Sequence, residues 1–427
     1  MRWLYTVAFY LLTPALVVRL CLRGFRNRAY WSRWGERFGR VPPLPADRPV
    51  LWVHAVSVGE VRAADPIVRA LRERYPGVRM LVTTMTPTGT AQVQELFGPD
   101  VEHCYLPWDY PGALNRFLDR THPEAGIIME TEIWPNLIAA CARRGVPLVF
   151  ANVRLSEGSA AGYRRIRALV APALSQVAHF AVQAPAHAER LRRIGAPAER
   201  ITVTGSVKFD SRVPASLREV AEVVRREWGR ERPVFLAGST RDGEEELILD
   251  ACDRLRDQLP DLLLVLVPRH PERFATVARL VRSRSLRLVQ RSDGPGAVDP
   301  GVQVYVGDTM GELQILYAAA DVVFVGGSLL PYGGHNILES CAVGVPVVFG
   351  PHMFNFEEIA QLVRECGAGR QVSNADALEE VVAHWLGDAD ERFRVGQAGL
   401  ALVSENRGAL QRTLDVIDRY ALDAGAG

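Results

Sequence analysis

Short unbroken runs of β-branched and aliphatic residues alternate along this chain with longer stretches whose apolar residues recur every three to four positions. Residues 50–56, 80–84, 126–129, 148–152, 179–182 and 201–204 read as strands. A polar, proline-bearing stretch at 210–216 interrupts the pattern. It restarts with 234–236, 262–267, 287–289, 302–306, 322–325 and 345–349. Between strands, segments such as 64–74 and 244–256 carry the helical period. Strands that are apolar at every position, rather than at alternate ones, are buried on both faces of a parallel sheet. The pattern predicts an α/β fold of two Rossmann-like doubly wound domains, at 31–210 and 231–427, joined by a linker at 211–230. In such sheets ligands bind beyond the carboxyl ends of the strands, so chemistry is sought in the loops that follow them and in a cleft between the domains.

The N-terminus departs from this pattern. Residues 3–18 are apolar except for Thr6 and Thr13. As a helix they rise about 24 Å, short of a hydrocarbon core of roughly 30 Å. Extension to Leu22 closes the gap, with Arg19 near enough to the end to snorkel. Residues 1–30 therefore read as a membrane anchor with a basic flank, either a single span or a helix lying in the interface. The run Arg19-Leu20-Cys21-Leu22-Arg23 offers no small-x-small cleavage site, which argues against a signal peptide.

Charge sharpens that reading. The 427 residues carry a net charge of only +1, so no overall field invites nucleic acid. Yet residues 1–40 hold eight arginines against one acid, Glu36. Basic residues after an apolar run place the bulk of the protein in the cytoplasm. The cluster reads either as that topology signal alone or as an attraction for anionic lipid or a phosphorylated substrate. Six scattered cysteines without a C-x-x-C pair, and nine histidines without metal-ligand spacing, point away from disulfide and zinc frameworks. Of 50 Lys+Arg residues all but Lys208 are arginine. A strongly hydrated ammonium is not mimicked by a guanidinium, so this position is one to watch.

Several strand-end loops carry candidate chemistry. Strand 50–56 runs into Ser57-Val-Gly-Glu60 at a helix start. There an acid is either a plain partner of the helix dipole, which would keep it ionised, or a general base. Strand 126–129 ends in Glu130-Thr-Glu132, with Pro135 suited to a helix first turn. Lys208 lies in Gly205-Ser-Val-Lys-Phe-Asp210. In the second half, Pro268-Arg269 puts a guanidinium where a phosphate would sit. Gly238–Glu245 opens a helix and reads as an anion site. Asn336 and Glu339 have capping-box spacing, and the glycines before them would let amides approach a phosphate. Four such loops at one sheet edge, counting 307–312, point to a nucleotide. No G-x-G-x-x-G or Walker A run follows a strand, so NAD and P-loop chemistry are disfavoured. On these residues alone another nucleotide-sugar enzyme, or a tethered binding protein, stays open.

The chain resembles the bacterial transferases of 3-deoxy-D-manno-octulosonic acid (Kdo) in lipopolysaccharide synthesis. The resemblance rests on His54–Glu60, Thr84–Gly89, Glu130–Asn136, Gly205–Asp210, Pro268–Phe274, Asp308–Leu313 and Gly334–Glu339, in that order along the chain. It implies a GT-B glycosyltransferase, metal-independent and without cofactor, that inverts the anomeric centre. Such an enzyme moves Kdo from CMP-Kdo to a lipid A precursor (lipid IVA) at the cytoplasmic face of the inner membrane. The resemblance makes Glu60 the general base and gives Glu130 and Lys208 the transition state. It assigns CMP to Pro268, Arg269, Thr309, Met310, Gly311, Glu312, Asn336, Ile337, Leu338 and Glu339. Two positions depart from the family pattern: Arg241, where histidine is frequent, and Gly158, where a basic residue is.

Overall fold

The computed structural model describes residues 1–210, 213–214 and 216–421. It falls into two compact units, one formed by 1–210 with 407–427 and the other by 211–406. Each is built on a seven-stranded sheet whose strands all pair in parallel.

The first sheet consists of β1 (Val50–His54), β2 (Arg79–Thr84), β3 (Glu102–Tyr105), β4 (Pro123–Met129), β5 (Leu148–Val153), β6 (His179–Val182) and β7 (Ile201–Val203). Their order is β3-β2-β1-β4-β5-β6-β7, so the winding reverses between β1 and β4. Trp52, Phe117, Phe150 and Phe180 fill one side of this sheet, while Val53, Ile67 and Leu71 fill the other. That two-sided burial is why β1 is apolar at nearly every position.

The second sheet holds β8 (Val234–Thr240), β9 (Leu263–Pro268), β10 (Leu288–Gln290), β11 (Val304–Val306), β12 (Val322–Val325), β13 (Val347–Phe349) and β14 (Gly369–Gln371). Their order, β10-β11-β9-β8-β12-β13-β14, reverses between β8 and β12.

The expected domain bounds differ from the structure in two places. Residues Leu217–Trp228, assigned to the linker, form an amphipathic helix whose Leu217, Ala221, Val224 and Trp228 are buried in the second unit. Of the expected linker, Ser211, Arg212 and Ala215 lie outside the described residues. The chain end also leaves the second unit. Helix Ala409–Ala421 returns to the first sheet, where Leu414, Val416 and Ile417 join the core beside Val53. Asp210 fastens this return by accepting the Gly408 amide at 2.6 Å and the Leu410 amide. A carboxylate at a helix N-terminus is the favourable charge there.

The basic N-terminal cluster is only partly free for lipid. Arg33 bonds the His103 carbonyl at 2.9 Å and pairs with Glu36, which in turn accepts the Tyr105 amide at 2.8 Å. Arg37 is 1% exposed and lies 4.5 Å from the Tyr105 ring centroid. These residues cover the edge strand β3, whose unpaired backbone would otherwise be open to other strands. Helix Arg2–Arg26 is long and apolar enough to cross a membrane by length and composition. One side of it rests on the first unit, however. Thr6 bonds Asn136, Thr13 bonds the Tyr110 hydroxyl, and Phe9 and Tyr10 pack on the Tyr110 ring. Its other side leaves Trp3, Leu4, Leu11, Leu12 and Leu22 exposed.

Candidate active site

In the first unit the winding reversal sets the loops after β1 and β4 side by side. Helix Val58–Arg74 starts directly after β1, with Glu60 in its first turn. The Glu60 carboxylate accepts the Val56 amide at 2.8 Å and the Ser57 hydroxyl at 3.0 Å. Only 9% of the residue is exposed. Burial pushes its carboxyl up to about 7, and the nearby Glu132 and Glu130 charges push the same way against those two donors. The helix start therefore does not keep this acid firmly ionised, as its position alone suggested. Desolvation and like charge outweigh the dipole. Each oxygen still has a free lone pair, so the group can take a proton from a bound hydroxyl.

Glu130 directly follows β4 with φ 55°, a left-handed conformation uncommon for a residue with a side chain, and its amide donates to the Ala151 carbonyl at 2.9 Å. Glu132 follows, held by the Trp134 indole at 2.8 Å, with its carboxyl raised by burial and by Glu130. Pro135 begins helix Pro135–Arg143 as expected, but the cap is Asp109, which accepts the Asn136 and Leu137 amides at 3.0 and 2.8 Å. Glu132 belongs to the carboxylate group and had no role in the sequence reading.

Lys208 is half-buried on the short turn Val207–Asp210, which packs against helix Val58–Arg74. Asn152, fully buried at the end of β5 with φ 55°, accepts the Val207 amide at 3.4 Å. Its Nδ2 has no hydrogen-bond partner among the described residues. Asn152 thus supports the turn that carries Lys208, a role visible only after folding. Gly158, the family departure, stands exposed in the first turn of helix Glu157–Arg165, with open space where a side chain would project.

In the second unit the loops after β8 and β12 flank the reversal. Here four of the loop amides are already taken and not free for a phosphate. Glu244, which opens helix Glu244–Gln258, is fully buried. One oxygen accepts the Arg241 and Gly327 amides at 2.9 and 2.6 Å, and the other the Ser328 and Leu329 amides, both at 2.9 Å. A side-chain carboxylate occupies the nest that the glycines create.

Other groups remain for a nucleotide. Pro268 ends β9, and Arg269 is half-buried beyond it with its amide on the Thr240 carbonyl at 3.1 Å. The Glu339 carboxyl is raised by burial and lowered by its Asn336 bond and by the Arg269 charge, so these two residues are neighbours. Arg241 bonds the His270 ring and lies 4.8 Å from the Tyr332 ring centroid.

Thr309 donates to Glu312, which also accepts Arg291 at 3.1 and 2.9 Å. The guanidinium holds Glu312 below its usual range, so this acid braces the loop. Met310 is exposed at the loop tip, next to Gly311 at φ 84°. The expected capping box does not form. Ile337 is the cap residue of helix Leu338–Val343, and Asn336 accepts the Leu338 amide at 3.2 Å while donating to Glu339 at 3.2 Å. Ile337 and Leu338 bury their side chains, so only their backbone can meet a ligand.

Comparison with known proteins shows the family of the chain. The family profile of the 3-deoxy-D-manno-octulosonic-acid transferase (kdotransferase) matches residues 32–211. A 3-deoxy-D-manno-octulosonic acid transferase of Haemophilus influenzae is 40% identical over 421 residues, covering 98% of both chains. The corresponding protein of Bordetella pertussis is 38% identical, covering 98% of this chain and 99% of its own. Among solved structures, UDP-GlcNAc 2-epimerase from Neisseria meningitidis superposes with a TM-score of 0.57 at 14% identity, covering 87% of this chain and all of its own. A glycosyltransferase from Rickettsia africae gives 0.54 at 15% identity, covering 88% and 99%. These distant structures share the GT-B fold. With its full-length relatives, the chain belongs to the bacterial Kdo transferases, glycosyltransferases of lipopolysaccharide synthesis.

Proposed function

We propose that the protein transfers Kdo from CMP-Kdo to a primary hydroxyl of a lipid A precursor, lipid IVA, releasing CMP with inversion at the anomeric carbon. The observation that carries this reading is Glu60. It is a buried carboxyl at the switch point, pushed up to about 7, with an oxygen lone pair to spare. An acid tuned near neutral pH suits general-base work on a sugar hydroxyl. In this mechanism Glu60 takes the hydroxyl proton as the oxygen attacks the anomeric carbon, and CMP leaves from the opposite face. Arg269 and the loop Thr309–Gly311 meet the charge that builds on the departing phosphate. Lys208 offsets the carboxylate of the sugar, and Glu130 orients the reacting groups beside it. These cations supply the positive charge from side chains, and the reaction is proposed to run without a metal.

The protein would work at the cytoplasmic face of the inner membrane. Because helix Arg2–Arg26 lies along the first unit through Thr6, Thr13 and Tyr110, an anchor set in the plane of the interface suits it better than a free span.

The test is to incubate the protein with CMP-Kdo and lipid IVA and weigh the product. A mass increment of one or more Kdo units, undiminished by EDTA, is expected. Absence of product, or loss of it on chelation, overturns the corresponding part of the reading.

A further inference from the structure

The first unit carries a concavity whose lining does not include Glu60. A groove of about 720 Å³ runs between the start of helix Arg2–Arg26 and helices Pro135–Arg143 and Arg167–Leu174. Trp3, Val7, Leu169 and Pro172 give it apolar walls, while Arg2 and Arg143 line it with positive charge. Both arginines are exposed. A cavity with apolar walls and a pair of guanidinium groups is complementary to an amphipathic anion, since Arg binds phosphate oxygens bidentately.

Two features join this groove to the carboxylates. Asn136 lines it and closes the Glu130–Asn136 segment, with its amide held by Asp109. Tyr5, beside the groove on the N-terminal helix, bonds Asp109, and Tyr163 lies in electrostatic reach of both Tyr5 and Glu132. The groove also borders the exposed apolar side of the N-terminal helix, where Leu4 and Leu11 face outward.

We propose that the groove is an acyl-chain subsite for the lipid acceptor: one chain lies against Val7, Leu169 and Pro172, and a phosphate of the same molecule meets Arg2 and Arg143. This rests on the proposed transfer to a phosphorylated, acylated sugar. It adds a place where the enzyme reads the lipid part of that substrate, apart from the residues given to Kdo and CMP.

The experiment measures affinity and turnover separately in detergent micelles. The probes are a tetraacylated glucosamine disaccharide bisphosphate and its fully deacylated form. Titration calorimetry with wild type, Leu169→Glu and Arg143→Ala reads binding, and product mass reads transfer. Leu169→Glu is expected to weaken the acylated probe at least fivefold and to leave the deacylated one unchanged, which also shows that the variant is folded. Arg143→Ala should weaken both probes about threefold through the shared phosphate. Equal affinity of Leu169→Glu and wild type for the acylated probe overturns the subsite. So does a variant that loses only its co-sedimentation with phosphatidylglycerol vesicles, because the groove then belongs to bulk lipid. Wild type that binds the acylated probe more tightly than the deacylated one, but forms no product, keeps the subsite and overturns the transfer reading instead.

Discussion

Glu60 and Glu244 hold matching places in the two units. Each stands in the first turn of the helix that follows β1 or β8, the strand at which its sheet's winding reverses. Their surroundings differ. Glu244 spends its oxygens on four backbone amides, three of them from the loop after β12. Glu60 accepts two donors from its own loop, and the segment across the reversal offers it Glu130 and Glu132 instead. One carboxylate is an internal staple that closes its crevice. The other is buried but left short of donors, with a lone pair that could take a proton. The same strand–helix junction thus serves assembly in one unit and, in the proposed mechanism, chemistry in the other.

The comparison breaks first at Glu244. Replacing it with Gln puts an N–H₂ against amides that all donate, so at least two buried donors lose their acceptor, at about 1–3 kcal/mol each. Urea unfolding of Glu244→Gln should show the second unit destabilised by at least about 2 kcal/mol, with CMP affinity falling alongside. A variant of wild-type stability would mean that those amides are satisfied in another way.

Glu60→Gln should behave in the opposite manner. Transfer is expected to fall by at least about 100-fold, the scale of a lost general base, while CMP affinity holds. Stability should not fall, and the sign follows from linkage. The carboxyl ionises at 4.5 in a free chain and at about 7 in the folded protein. Between those values the folded state holds a proton that the unfolded state has released, so stability declines as pH rises through the window. Above pH 7 the cost reaches about 3 kcal/mol. A neutral Gln escapes it, so the variant should gain on wild type as pH climbs from 4.5 to 7. Denaturation midpoints measured at pH 5 and pH 8 check this. Equal differences at both would place the raised carboxyl elsewhere.

In the proposed mechanism the same group sets the rate profile of the native enzyme. With a base that ionises at about 7, kcat/KM should fall roughly tenfold from pH 8 to pH 6. A profile flat across that range would assign the proton to another acceptor.

What could be read from the chain alone follows from how local each feature is. Strands announce themselves by runs of consecutive apolar residues, and twelve of the fourteen are legible in that way, the half-buried edge strands β7 and β10 among them. The two others, β3 and β14, lie at sheet edges, where Glu102 and Arg370 can stay exposed. The linker reading at 211–230 took its polar start for the whole segment and missed the apolar stripe of Leu217, Ala221 and Val224. Glu60 was legible as an acid at a strand end. Its raised pKa was not, because that depends first on burial and then on Glu132 and Glu130 arriving from a segment some 70 residues away in sequence. Glu244 was hidden for a similar reason: three of its donors lie 83 to 85 positions downstream. Nor does any local pattern tell that helix Ala409–Ala421 leaves the unit it follows to cover the first sheet.

Lys208 gives the smallest and most discriminating test. It is the one lysine among 50 Lys and Arg residues, and it sits half-buried on a turn braced by Asn152 and packed against the helix whose first turn holds Glu60. Arginine there would keep the charge but spread it over a planar fork longer than the ammonium it replaces. If Lys208 acts as a point charge at the transition state, Lys208→Arg should lower kcat about fivefold and leave KM for CMP-Kdo and the melting temperature nearly unchanged. If it serves only as a cation for the donor's carboxylate, the loss should appear in KM instead, because binding shared by ground and transition states does not change kcat. Asn152→Ala separates position from charge. Freeing the Val207 amide should loosen the turn and reproduce the kcat loss with Lys208 still present. Full activity in both variants would show that the first unit's carboxylates work without this cation.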